Sequence, residues 1–214
     1  MNKIYIFSGL GVDKKVFDKI DFGCLDPEFI DWIEPKKNES LSKYCKRISQ
    51  KIKVENATVI GLSFGGIVAV EIAKILKLKR IILVASAKTK KELPLAYRIV
   101  GKLNINKWIP TFALKQQNWI TNYFFGVKTI EEKILLKNIL LQTDAFVLKW
   151  AINEIVNWNN IKTPENYIHI HGDGDKIIPI SNVKTDYIIK NAGHFMTVTN
   201  AKEIEQILQN AINN

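Results

Sequence analysis

The chain of 214 residues has two cysteines, three histidines, three arginines and no apolar run approaching 18 residues. Each scarcity excludes something. Cys24 and Cys45 cannot build a disulfide framework, and a reduced, cytoplasmic setting suits them. Without a long apolar run, no membrane span is expected. The early apolar run, Ile4 to Phe7, is too short for the core of a secretory leader and stops at Ser8-Gly9. Only Arg47, Arg80 and Arg98 stand among the 31 basic residues; the other 28 are lysines. Nucleic-acid surfaces focus Arg and Lys on one element with aromatics between them, and no Arg-rich stripe exists, so no nucleic-acid partner is expected. The one close histidine pair, His169-x-His171, has no further ligands nearby, so no metal site is expected.

Hydrophobic residues make up 47% of the chain and charged ones 24%, the proportions of a globular protein able to bury one sizeable core. Short apolar runs at Lys3–Phe7, Phe29–Ile33, Ala57–Ile60 and Arg80–Ala85 alternate with helical patterns at Val12–Ile20, Glu39–Lys53 and Gly66–Leu76. That alternation predicts a parallel sheet with helices on both faces. From Ser86 to Asn160 the spacing is helical throughout: Leu93–Leu103, Pro110–Phe125 and Ile130–Trp158. Strands resume at Tyr167–Ile170 and Asp186–Ile189, and Asn200–Ile212 closes the chain as a helix. The sheet needs strands from both sides of the helical stretch. Residues 1–214 are therefore expected to form one domain, with 88–160 as a helical lid inserted between the fourth and fifth strands.

The chemistry centres on Ala57–Val70, ATVIGLSFGGIVAV. An apolar strand runs into G-x-S-x-G and then a helix, the context a nucleophile turn requires. Glycines at 61 and 65 avoid clashes around the turn, and Gly66 lets the helix approach the strand. Ser63 is thereby the candidate nucleophile. Its general base must lie on a loop at the carboxyl end of the sheet. His194 follows the last strand and does so; His169 lies inside a strand and does not. An acid must orient the imidazole. Asp173 and Asp175 both follow the fifth strand; Asp175 is the better placed, Asp173 suits the turn itself, and Asp144 in the lid is a distant third. Two backbone N–H groups for an oxyanion would come from Phe64, after the nucleophile, and from Leu10 in Ser8-Gly9-Leu10-Gly11.

These motifs, GLSFGG, HGDGDKIIP, NAGHF and SGLG, in the order Ser63, Asp175, His194, resemble those of the α/β-hydrolase superfamily. The resemblance covers nearly the whole chain and assigns Asp175 to the acid role. It implies a three-layer α/β architecture, doubly wound, with a six-stranded, mostly parallel sheet in the order 2-1-3-4-5-6. It departs at Ser8, where the family commonly has His, which weakens the ordering of that turn. It implies acyl transfer through a seryl intermediate, with hydrolysis of a carboxyl ester or thioester and no metal or organic cofactor. Three other readings stand beside it: related cofactor-free chemistry in the same fold, a non-catalytic binder that retains the fold, and a basic peripheral membrane or nucleic-acid binder, against which the lack of an Arg-rich stripe argues.

Substrate choice falls to the lid. Trp108, Trp119, Trp150 and Trp158 lie there with Phe112, Tyr123, Phe124, Phe125 and Phe146. Most are expected to pack helix on helix; Phe146 and Trp150 are the substrate-pocket candidates. Residues 88–160 carry eleven basic residues against five acidic ones, out of a net charge of +10 for the chain. Lys88, Lys90 and Lys91 follow a strand end near the expected mouth. They raise the alternative of an anionic small-molecule acyl substrate, or an acyl chain held by an acidic carrier protein.

Overall fold

The computed structural model describes residues 3–12 and 14–213. Its strands are β1 (Ile4–Phe7), β2 (Glu28–Phe29), β3 (Thr58–Leu62), β4 (Arg80–Val84), β5 (Tyr167–Gly172) and β6 (Tyr187–Ile189). They form one sheet in the order β2-β1-β3-β4-β5-β6, and every pairing is parallel. The expected order and class hold.

Why this sheet forms is visible in its side chains. The central strands are Ile, Val and Leu in near-continuous runs, the composition of strands covered on both faces. Alternate residues divide between two cores. Ile4, Ile6, Ile60, Leu62, Ile82 and Val84 face one core. Tyr5, Phe7, Val59, Ile81 and Leu83 face the other.

Helices cover both faces. The second core is closed by α1 (Leu41–Ile48) and α2 (Phe64–Ile72). Between β4 and β5 come α3 (Leu95–Lys102), α4 (Thr111–Lys115), α5 (Trp119–Phe125), α6 (Ile130–Gln142) and α7 (Ala145–Val156). The first core is closed by α8 (Met196–Thr199) and α9 (Ala201–Asn213), joined by Leu136 and Leu140 of α6. Ile204, Leu208 and Ile212 of α9 are buried. Burying each stabilises the fold by about 1.5–3 kcal/mol before chain entropy is counted.

Several elements are shorter than periodicity predicts, each for a local reason. The helix expected over Val12–Ile20 is a 3-10 turn, Lys14–Phe17, whose Val16 and Phe17 are buried. The strand expected over Phe29–Ile33 has two residues, although Ile30 N–H still donates to Ile6 O at 2.9 Å. Two long helical runs are each broken by a side chain that caps a new helix. Asn118 accepts from Thr121 N–H and separates α4 from α5. Asp144 accepts from Phe146 and Val147 N–H and separates α6 from α7.

Because every strand is parallel, the turns after β1, β3, β5 and β6 gather at one edge of the sheet.

Candidate active site

Ser63 sits between β3 and α2 with φ +53° and ψ −118°. A non-glycine residue in that region stores strain and persists only where its surroundings over-determine it. They do so here. Ser63 N–H donates to Val84 O at 2.9 Å, and its carbonyl accepts from Gly66 N–H at 2.9 Å and from the Ser86 hydroxyl at 2.7 Å. The glycines are required by close approach. A Cβ on Gly61 would stand 2.5 Å from Gly66 Cα, and one on Gly65 would overlap the Phe7 and Ser8 carbonyls.

The Ser63 Oγ lies 2.8 Å from His194 Nε2, and His194 Nδ1 lies 2.8 Å from Asp175 Oδ2. With Nδ1–H donating to the carboxylate, Nε2 is left to accept the serine proton. Asp175 is 2% exposed. Its other oxygen accepts from Ile177 and Ile178 N–H at 2.8 and 2.9 Å. Burial pushes its carboxyl upward, but the facing His194 and the hydrogen bonds it accepts outweigh burial and hold it below the ordinary aspartate value.

The other two candidate acids are engaged elsewhere. Asp173 accepts from Asn191 N–H at 2.6 Å and ties the acid loop to the histidine loop. Asp144 caps α7.

Comparison with solved structures follows from this geometry. A thermophilic esterase superposes with a TM-score of 0.68 at 19% identity, covering 100% of this chain and 90% of that one. An esterase from Exiguobacterium antarcticum gives 0.70 at 14%, covering 100% and 92%. A bromoperoxidase from Bacillus anthracis gives 0.67 at 14%, covering 100% and 93%. The chain has the α/β-hydrolase fold. No family model and no curated relative matches it.

In this fold the turn after β1 faces the serine. The Ser8 hydroxyl donates to Val12 O at 2.5 Å, a bond within the turn at the position where the family commonly has His. Gly11 has φ +70° and sits against Thr143, at the end of α6, where a Cβ would come within 2.7 Å of the Thr143 methyl. Leu10 and Phe64 both line a cavity of about 420 Å³. Trp32, Tyr44, Ile139, Val147 and Trp150 add apolar wall.

The pocket candidates separate. Trp150 is buried on the cavity wall, its ring 4.5 Å from Tyr44, and its Nε1–H donates to Glu39 O at 2.7 Å. Phe146 is 46% exposed and stands outside the cavity, beside Lys37 and Arg47. Four residues apart on α7, the two share a second, shallower cleft with Glu39 and Asn153, but only Trp150 reaches the cavity beside Leu10 and Phe64.

Sequence reasoning missed a second tier behind the acid. His171 Nε2–H donates to Ile178 O at 2.8 Å and stands 3.4 Å from Asp175 Oδ2. Its Nδ1 accepts from His169 Nε2–H at 3.2 Å. His169 Nδ1 in turn accepts from Lys88 Nζ at 3.0 Å. These tautomers are the ones the partners require when both rings are neutral. Burial first, then the Lys88 charge, drives the His169 imidazole down to about 3. Burial also lowers His171. Period-two spacing places both histidines on one strand face, which was legible. Lys88, 81 residues away, was not.

Lys88 is therefore not a mouth residue. It is 3% exposed, 2.8 Å from Glu92 Oε1, and also donates to Lys184 O. Lys90 is half-buried and Lys91 exposed. On the other side, Phe125 at the end of α5 holds its ring 5.9 Å from His194, and its carbonyl accepts from Phe195 N–H at 3.1 Å. Burial first, then the Asp175 charge, raises the Tyr97 phenol of α3.

Proposed function

We propose that this chain is a serine hydrolase of carboxyl esters or thioesters. The observation that carries the reading is the hydrogen-bonded line Ser63–His194–Asp175 with the serine held at positive φ. Ser63 Oγ attacks the carbonyl carbon while His194 Nε2 takes its proton. Asp175 keeps Nδ1 protonated and stabilises the imidazolium. The Phe64 and Leu10 N–H groups receive the oxyanion. His194 returns the proton to the leaving alcohol or thiol, the acyl–Ser63 ester remains, and a water activated by the same imidazole hydrolyses it. No metal or organic cofactor takes part in these steps.

The acyl group occupies the cavity beside Leu10 and Phe64, and residues 88–160 act as its lid. Polar side chains, Lys14, Asp31, Asn138, Gln142 and Asp144 among them, share the lining with the apolar wall, and the Trp32 Nε1–H is buried without a partner among the described residues. That indole is a donor for an oxygen on the acyl group. The esterases among the structural neighbours support ester hydrolysis; the bromoperoxidase is a reminder that fold alone does not choose the chemistry. The carrier-protein alternative loses its first lysine, since Lys88 is buried.

A fluorophosphonate probe tests the reading. It is expected to label wild type and not Ser63→Ala, and turnover of p-nitrophenyl esters should fall by about 10³-fold or more in that variant. Unlabelled wild-type protein would favour the non-catalytic binder.

A further inference from the structure

Residues 93–130 hold five basic residues and no Asp or Glu. The same stretch holds eleven of the nineteen large apolar side chains exposed among the described residues. Trp108 at 86%, Trp119 at 77% and Phe112 at 74% are the most exposed of all. Most of these aromatics were expected to pack helix on helix; the structure leaves them in solvent. Nor are the lysines between them occupied. None of Lys102, Lys107 and Lys115 is ion-paired among the described residues.

The stretch lies at the carboxyl end of the sheet. Its first helix, α3, packs on α7, which carries Trp150 of the cavity wall, and its last, α5, ends with the Phe125 ring 5.9 Å from His194. Leu95 and Ile99 are exposed on α3; Trp119 and Tyr123 are exposed on α5.

We propose that this face docks the protein on an anionic lipid bilayer, without spanning it. The chemistry matches on two counts. Trp and Tyr rings settle at the depth of the headgroups, where one end is apolar and the other wet. Lysines among them meet lipid phosphates, and no carboxylate is present to oppose the approach. A second copy of the chain is a poorer occupant, because two faces of the same positive charge would meet. No helix is long and apolar enough among the described residues to cross the membrane, so attachment is peripheral.

The full chain and its Ser63→Ala form are mixed with sedimenting vesicles, either phosphatidylcholine alone or phosphatidylcholine with phosphatidylglycerol. Both forms should partition onto the anionic vesicles, and added salt should release them. The triple variant W108A/F112A/W119A should lose about tenfold or more in partition coefficient. The variant K102Q/K107Q/K115Q should lose roughly fivefold per lysine on anionic vesicles only. All six side chains lie on the stretch's surface or its edge, and melting temperatures verify folding. Should a variant fail to fold, quenching of wild-type tryptophan fluorescence by brominated phospholipid in anionic vesicles decides instead. No partition at low salt, or no quenching, overturns the proposal. So does full vesicle binding by the aromatic variant, or equal retention of both proteins by poly-glutamate and by vesicles, which would mark a charge-only surface for an acidic protein. A dimer in light scattering that the aromatic variant abolishes, with no vesicle binding, assigns the face to a second copy. Binding is read without turnover, so it succeeds or fails separately from the hydrolase reading.

Discussion

At the scale of single residues, the site rests on strain at Ser63 and on burial at Asp175. Strain of this kind costs on the order of 1–3 kcal/mol. Ser63→Ala and Ser63→Gly both delete the hydroxyl, but only glycine accepts φ +53° freely. The Gly variant is expected to be more stable than the Ala variant by about 1 kcal/mol, after its extra unfolded-state entropy is subtracted. Urea midpoints compare them directly, and an Ala variant as stable as the Gly one would remove the strain argument. The hydrogen-bonded line of Ser63, His194 and Asp175 was legible because a strand, a glycine turn and chain order narrow each member to one or two positions. Lys88 was not legible. A lysine after a strand reads as a solvated charge, and only the fold reveals that Glu92, His169 and the Lys184 carbonyl use all three of its donors.

At the scale of elements, three aspartates near the site end up doing three jobs, set by where each one stands between elements. Asp175 meets the imidazole, Asp173 joins two loops and Asp144 starts α7. Asp175→Ala is expected to abolish most ester turnover while leaving the protein labelled slowly or not at all by a fluorophosphonate. Asp144→Ala should instead lower stability by about 1 kcal/mol, the usual loss for a removed cap, with turnover largely kept. A kinetic collapse in Asp144→Ala matching that of Asp175→Ala would reverse these roles. The same capping chemistry explains why helix boundaries were the least readable part of the sequence. Apolar spacing runs on across Asn118 and Asp144, and a cap competes with helix continuation through one side-chain hydrogen bond that periodicity does not register. The sheet was easier, since its central strands are buried on both faces and carry a continuous apolar signal.

At the scale of the whole molecule, the buried histidines tie stability to pH. His169 is held to about 3, and His171 is lowered as well, whereas both regain the ordinary value near 6.5 when the chain unfolds. Below that value the unfolded chain binds protons that the folded chain refuses. Stability should therefore fall as pH drops from about 6.5 toward about 3, with a slope of about 1.4 kcal/mol per pH unit for each histidine that stays neutral. Asp175, lowered in the fold, adds a loss that begins below its ordinary value and ends at its folded one. Urea denaturation at a series of pH values measures the slope; a flat profile between pH 6.5 and 4 contradicts the neutral pair. One further consequence follows from where the imidazoles lie. The chain's whole histidine complement, His169, His171 and His194, belongs to a single buried cluster behind Ser63. Isotope labelling of histidine alone would therefore give a nuclear magnetic resonance spectrum of the proposed catalytic machinery with no background, in which every signal that moves on reaction with a fluorophosphonate or on contact with a bilayer reports from within that cluster.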